Sequence, residues 1–191
     1  MRPGIAIAAL WLGWLLSWMA AAWWSNRTEK SLGLASEWRY RSLMLLGAAA
    51  LFVPAHGYQG PLRLWHIGWA GAWVCVLLVA LGLAFCWWAR LHLGRLWSGQ
   101  ITRKAEHRVV DSGPYGIVRH PIYTGILLAA FATMAAKGTI PGIAGAALLA
   151  LGLWWKAHLE ERWLSQELGE GAYQDYRRRV PMLLPFGPKG G

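Results

Sequence analysis

The sequence predicts an all-α integral membrane protein with five transmembrane helices, its N-terminus outside and its C-terminus cytoplasmic. Three observations lead there. The 191 residues are 56% hydrophobic and only 15% charged, with 15 tryptophans, which leaves too little polar surface for a soluble domain of this length. Several apolar runs approach or exceed the roughly 20 residues that cross a bilayer. Lysine and arginine alternate along the chain in step with those runs.

The first run, Ile5 to Trp24, is too long and too rich in tryptophan for a cleaved secretory signal, and Ala20-Ala21-Ala22 before Trp23-Trp24 is a poor cleavage context. The second, about Trp38 to Gly57, has Arg39 and Arg41 at its start, where both can snorkel to the interface, and Pro54 near its end. Leu64 to Trp88 is a long third span. Pro121 to Ala136 and Ile140 to Trp155 are separated only by Lys137-Gly138-Thr139. That spacing predicts an antiparallel helical hairpin, with Pro141 in the first turn of its second helix. This topology puts Arg2, Arg63 and Lys137 outside and the other 16 of the 19 Lys and Arg inside. One membrane domain covers 1–191: three spans over 1–96, then a core of loop, hairpin and tail over 97–191.

A net charge of +10 does not imply nucleic acid, because the basic residues are dispersed over three segments beside a bilayer whose anionic lipid attracts them. Cys75 and Cys86 have no CxxC spacing and read as packing thiols. No two of the six histidines form an HxxxH pair and no acidic or thiol group completes a set, so no metal site is expected. GxSxG, Walker and Rossmann patterns are missing from the sequence. Trp11, Trp14 and Trp18 recur at helical spacing, as do Trp65, Trp69 and Trp73. Such stripes anchor helices at the interface or pack them together, or line an access route for a greasy substrate.

Two polar islands carry the chemistry. The first leads through Asp111 and Tyr115 to Arg119-His120-Pro121-Ile122-Tyr123, where proline biases His120 to an extended backbone. The second, Lys156-Ala157-His158-Leu159-Glu160-Glu161, closes the fifth run, with Lys156 and Glu160 four apart on one helix face. A carboxylate there is costly unless it meets a cation, either Lys156 or the ammonium of a bound amino-acid-like ligand. Pro181 and Pro185 predict an extended strap returning to the membrane surface after Tyr173, Tyr176 and Arg179.

The order Gln100, His107, Val110, Gly113, Tyr115, Arg119-His120-Pro121, Tyr123, Gly125, then Glu160-Glu161, then Gly169, Tyr173, Tyr176, Arg179-Val180-Pro181 and Leu184-Pro185 resembles the isoprenylcysteine carboxyl methyltransferases, in particular their small prokaryotic relatives. Phospholipid N-methyltransferases share this core. The resemblance covers about Trp97 to Phe186; the three N-terminal spans match only in general character. It implies a prokaryotic cytoplasmic membrane, an active site facing the cytoplasm, and S-adenosylmethionine as methyl donor. It places Gln100, His107, Arg108, Val109, Val110, Tyr115, His120, Pro121, Ile122 and Tyr123 around the donor, with Glu160 on its amino group. The family's substrate-contacting arginine falls on Lys156, which keeps the charge but not the bidentate fork.

Methyl transfer from a sulfonium needs orientation and exclusion of water. A carboxylate acceptor needs no base, only a cation to position it, and Arg119, Lys156 and Arg179 are the candidates. An amine or thiol must first lose a proton, and no Asp–His pair stands ready. A lipophilic acceptor of isoprenylcysteine-carboxylate type is therefore favoured over a thiol or an aminolipid. Two other readings are an NADPH-dependent enzyme like the membrane sterol reductases, which share an HPxY turn, and a noncatalytic membrane module whose motifs only cap helices.

Overall fold

The computed structural model describes residues 1–21, 28–31, 34–54, 62–94, 102–104, 110–168 and 170–189. Along the chain come α1 (Pro3–Ala21), β1 (Thr28–Ser31), α2 (Leu34–Phe52), α3 (Trp69–Leu93), β2 (Thr102–Lys104), α4 (Pro114–Ile117), α5 (Pro121–Lys137), α6 (Ile140–Leu168) and α7 (Glu170–Arg179). Among the described residues three helices, α1, α3 and α6, are long and apolar enough to cross a membrane, and α5 is a shorter apolar helix. The all-helix expectation needs one amendment, since β1 and β2 pair antiparallel, Ser31 opposite Thr102.

The boundaries differ from those read in the sequence for local reasons. Helix α2 stops at Phe52, ahead of Pro54, which disfavours a helical residue before it. Its Glu37, Arg39 and Arg41 set it apart from the more apolar helices. Helix α3 starts at Trp69, not near Leu64, because the amides of Leu64 and Trp65 donate to the Gly138 carbonyl at 2.8 and 3.4 Å. Trp65 therefore lies outside the helical stripe of Trp69 and Trp73. Its indole donates instead to the Ala135 carbonyl at 2.9 Å. The hairpin turn forms as expected. Helix α5 ends at Gly138 in the left-handed region, φ 59°, where a Cβ would collide with the Trp65 carbonyl. Helix α6 does not end at Trp155 but runs 29 residues, about 43 Å, so Lys156 to Glu161 lie within it.

The helices pack in the order α1, α3, α5, α6, α2. Close approach is set by glycine, as in other membrane bundles. A Cβ on Gly82 of α3 would lie 2.6 Å from the Gly125 carbonyl of α5, and one on Gly47 of α2 would lie 2.9 Å from the Gly145 carbonyl of α6. Connections gather at two ends. At one, Leu64 and Ile140 bond across the α2–α3 and α5–α6 connectors, and the Lys137 ammonium donates to the Leu51 and Val53 carbonyls that finish α2. At the other, β1 pairs with β2, and buried Arg90 donates to Ala21 O at 3.0 Å and Gly94 O at 2.6 Å, joining the ends of α1 and α3. Both of these are helix C-terminal carbonyls, which favour a cation.

Candidate active site

Gly113 enters the single turn of α4 at φ 58°, and Val118 leaves it extended. The next residues run beside the tail. Arg119 N–H donates to Pro181 O at 2.9 Å, His120 N–H to Met182 O at 3.1 Å, and the Thr124 hydroxyl to Leu183 O at 2.6 Å. The expected strap is thus present, reached through α7. Pro121 starts α5 where its missing N–H costs nothing. The Ile122 carbonyl accepts the Cys86 thiol of α3 at 3.2 Å, which pins the elbow to the bundle.

Arg119 is buried and holds this elbow to α6 and the tail. Its Nε donates to Glu161 Oε1 at 2.6 Å and one terminal nitrogen to Glu161 Oε2 at 3.2 Å. The other terminal nitrogen donates to the carbonyls of Arg177 and Val180. A two-pronged arginine–carboxylate pair of this kind is strong and directional. With every guanidinium nitrogen engaged inside the protein, Arg119 is placed to brace the site and not to reach an acceptor. Arg179 is also directed elsewhere. It is 61% exposed and donates to Asp111 at 2.9 Å, a contact that holds the Asp111 carboxyl below its ordinary pKa.

His120 lies between two carboxylates, Nδ1 3.5 Å from Glu160 and Nε2 3.2 Å from Glu161. Burial disfavours its protonation, but the hydrogen bonds and charges of Glu160 and Glu161 outweigh that and raise its pKa. Its ring stacks on Tyr123, centroids 5.3 Å apart and 3° from parallel. The Tyr123 hydroxyl lies 2.7 Å from both oxygens of Glu160. The Lys156 ammonium is 3.8 Å from Glu160, 5.3 Å from the Tyr123 ring centre and 5.8 Å from that of Tyr40. The two polar islands therefore meet, Tyr123 against Glu160.

Tyr115 occupies a neighbouring layer. Its ring stacks on His92 at 6.3 Å, and its carbonyl accepts the Tyr176 hydroxyl at 2.7 Å. Val110 is half-buried beside Asp111. Gln100, His107, Arg108 and Val109 lie outside the described residues. Sequence reasoning missed Tyr40 of α2, almost fully buried against Lys156. The only signal for it was an aromatic residue between the two arginines at the start of the second run. Among the described residues no group of three His, Cys, Asp or Glu side chains is placed to hold a metal ion. A surface groove of about 400 Å³ along Leu151, Trp154, Trp155, His158, Leu159 and Arg162 lies on the side of α6 turned away from Glu160.

Residues 74–166, which carry both islands, match the isoprenylcysteine carboxyl methyltransferase family. This match covers 93 of the 191 residues, just under half of the chain. A methanethiol S-methyltransferase 2 of Bradyrhizobium diazoefficiens is 48% identical over 73 residues, covering 37% of this chain and 26% of that protein. The cobalt-zinc-cadmium resistance protein CzcN of Cupriavidus metallidurans is 32% identical over 123 residues, 63% of this chain and 55% of the relative. Protein-S-isoprenylcysteine O-methyltransferase B of Arabidopsis thaliana is 34% identical over 88 residues, 46% of this chain and 44% of the relative. The matched stretches thus span about half of these relatives' length or less.

Proposed function

We propose that this chain is a member of that family, a membrane methyltransferase that uses S-adenosylmethionine and acts on a lipophilic acceptor entering from the bilayer. The observation that carries the reading is the contact of Tyr123 with Glu160, which creates a buried carboxylate facing a cation. Glu160 accepts one hydroxyl at short range, while Lys156 stays at 3.8 Å. A carboxylate has about four lone-pair sites, so the donor set fits an incoming ammonium. Glu160 would hold the amino group of the methyl donor. Tyr123, His120, Pro121 and Ile122 would line its methionine end, and Tyr115, with Gln100 and His107 to Val110, its adenosine. Bound there, S-adenosylmethionine would supply a methyl group activated on a sulfonium. The chain's own part is to orient and to exclude water: Glu161 and Arg119 fix His120, and His120 fixes the Tyr123 ring by stacking.

Lys156 is the cation that would position the acceptor, and it suits a carboxylate or an ionised thiol better than an amine. Names among the relatives cover both, an isoprenylcysteine O-methyltransferase and a methanethiol S-methyltransferase. Five spans, with the N-terminus out and the site on the cytoplasmic side, complete the proposal. The alternation of connectors between two ends supports it. A dinucleotide cofactor fits less well, since two carboxylates flank the turn and four of the five Arg119 N–H groups already donate within the protein.

Titration of purified protein with S-adenosylhomocysteine tests the reading. Wild type should bind, and Glu160→Ala should bind at least about 30-fold more weakly, the scale for removing one partner of a buried charged pair. Equal binding by both, or none by wild type, would overturn it.

A further inference from the structure

Helix α6 presents a second face, on the side opposite Glu160. The surface groove there measures about 400 Å³, within the range of small-molecule sites. Its residues share one helix face and change character along the axis. Leu151 and Trp154, both about half exposed, stand at one end. The half-buried Trp155 and Leu159 form the floor, held by packing with buried Tyr40 and Trp163. His158 and Arg162 follow, four and eight residues beyond Trp154, or about 6 and 12 Å along the axis. The apolar run of α6 stops at Trp155, and tryptophans at such a point mark the edge of the hydrocarbon. The headgroup layer beyond it is roughly 5–8 Å deep, and the long arginine stem can reach back into it. The groove thus passes from acyl-chain level to headgroup level, with its basic residues only at the headgroup end.

The His158 Nδ1–H donates to the Trp154 carbonyl at 2.9 Å, and the imidazole lies against the Trp154 indole, centroids 4.2 Å apart. That bond fixes the ring and leaves Nε2 for a ligand. In the neutral ring Nε2 accepts from a hydroxyl, and in the charged ring it donates to a phosphate. Arg162 is exposed, and among the described residues no carboxylate pairs with it. Its planar fork matches phosphate oxygens.

We propose that this groove binds one anionic phospholipid of the surrounding leaflet. An acyl chain lies along Leu151, Trp154 and Leu159, Arg162 takes the phosphate, and His158 takes a second polar group of the head. A phosphoglycerol head, with one negative charge and two hydroxyls, satisfies both. None of the six lining residues is acidic, so nothing in the groove receives the quaternary ammonium of a phosphocholine head. The site goes beyond the methyl-transfer reading and does not depend on it. Trp155 and Leu159 are shared between the groove and the Tyr40 cluster, so a bound lipid braces the α2–α6 contact from outside and stabilises the fold by mass action.

The test holds the full chain in a neutral detergent and measures bound dioleoyl phosphatidylglycerol and dioleoyl phosphatidylcholine by native mass spectrometry. Wild type should hold one phosphatidylglycerol about fivefold more tightly than phosphatidylcholine, the scale for one basic residue beside anionic lipid. Arg162→Gln should abolish that difference, and Arg162→Lys should keep most of it. Trp154→Ala, or Trp154→Leu if the first does not fold, should weaken both lipids. Arg178→Gln removes another exposed arginine, outside the groove, and should leave the preference intact. Equal retention of both lipids by wild type would overturn the inference. So would an equal loss from Arg178→Gln, which is diffuse attraction, or full displacement by inorganic phosphate at matched ionic strength. A dimer that Trp154→Ala splits would assign the groove to a second copy and overturn it as well.

Discussion

With Glu160 near one ring nitrogen and Glu161 near the other, His120 is a buried imidazole held toward its charged form. NMR titration should put its midpoint above the ordinary value of about 6.5, and Glu161→Gln should bring it down. The sign for stability follows from linkage. A histidine whose folded pKa is raised contributes stability that is complete below its unfolded value and is lost as pH rises through the folded value. Wild-type melting temperature should therefore fall from pH 6 toward pH 9 more than that of His120→Gln; parallel profiles would contradict the assignment. At this scale the sequence was partly legible. The meeting of Tyr123 with Glu160 could be anticipated, because each stands beside a polar island at the same end of two adjacent helices. The duties of Arg119 and Arg179 could not. Arg119 is occupied by Val180 and Arg177, about sixty residues away, and Arg179 by Asp111. Nothing in local spacing marks an arginine as already engaged.

Among the elements, the strap and α7 depend on one clamp. Replacing Arg119 with methionine leaves Glu161 buried without its main partner and frees the carbonyls of Arg177 and Val180, a loss of about 3–5 kcal/mol for a broken buried pair. Limited proteolysis should then cut between 177 and 189 while leaving α5 and α6 intact, and an unchanged digestion pattern would refute the clamp. The α3–α5 contact makes a separate prediction. Gly125→Val places methyl groups against the Gly82 carbonyl and the Cys86 thiol, an overpacking that costs about 1–3 kcal/mol and should lower the melting temperature. Gly171→Ala, with open space around its Cβ position, is the control. The hairpin was legible because Gly138 and Pro141 punctuate it. The length of α6 was not, because apolar periodicity stops at Lys156 while the helix continues. Its charged turns are satisfied by Tyr123, His120 and Arg119 from elements distant in sequence.

Across the whole molecule, connectors alternate between two ends, and that alternation matches the distribution of lysine and arginine. Single cysteines at Arg2 or Lys137 should react with a membrane-impermeant thiol reagent from outside intact cells, and cysteines at Arg179 or Lys189 only after permeabilisation. Cys75 and Cys86 are buried in the bundle and should stay silent. The reverse pattern would invert the topology. The row of helices brings α2 against α6 and so sets Tyr40 of the N-terminal half beside Lys156, among residues recognisable only in the C-terminal half. Little in the N-terminal half pointed to Tyr40 beyond its place between two arginines, since its burial against Lys156 exists only once α2 packs on α6. The most direct measurement is an experimental structure of the protein with S-adenosylhomocysteine bound. The account predicts the ligand's amino nitrogen about 3 Å from the Glu160 carboxylate, with Tyr123 still against the same group. A ligand bound elsewhere, or with its amino group turned away from Glu160, would contradict it.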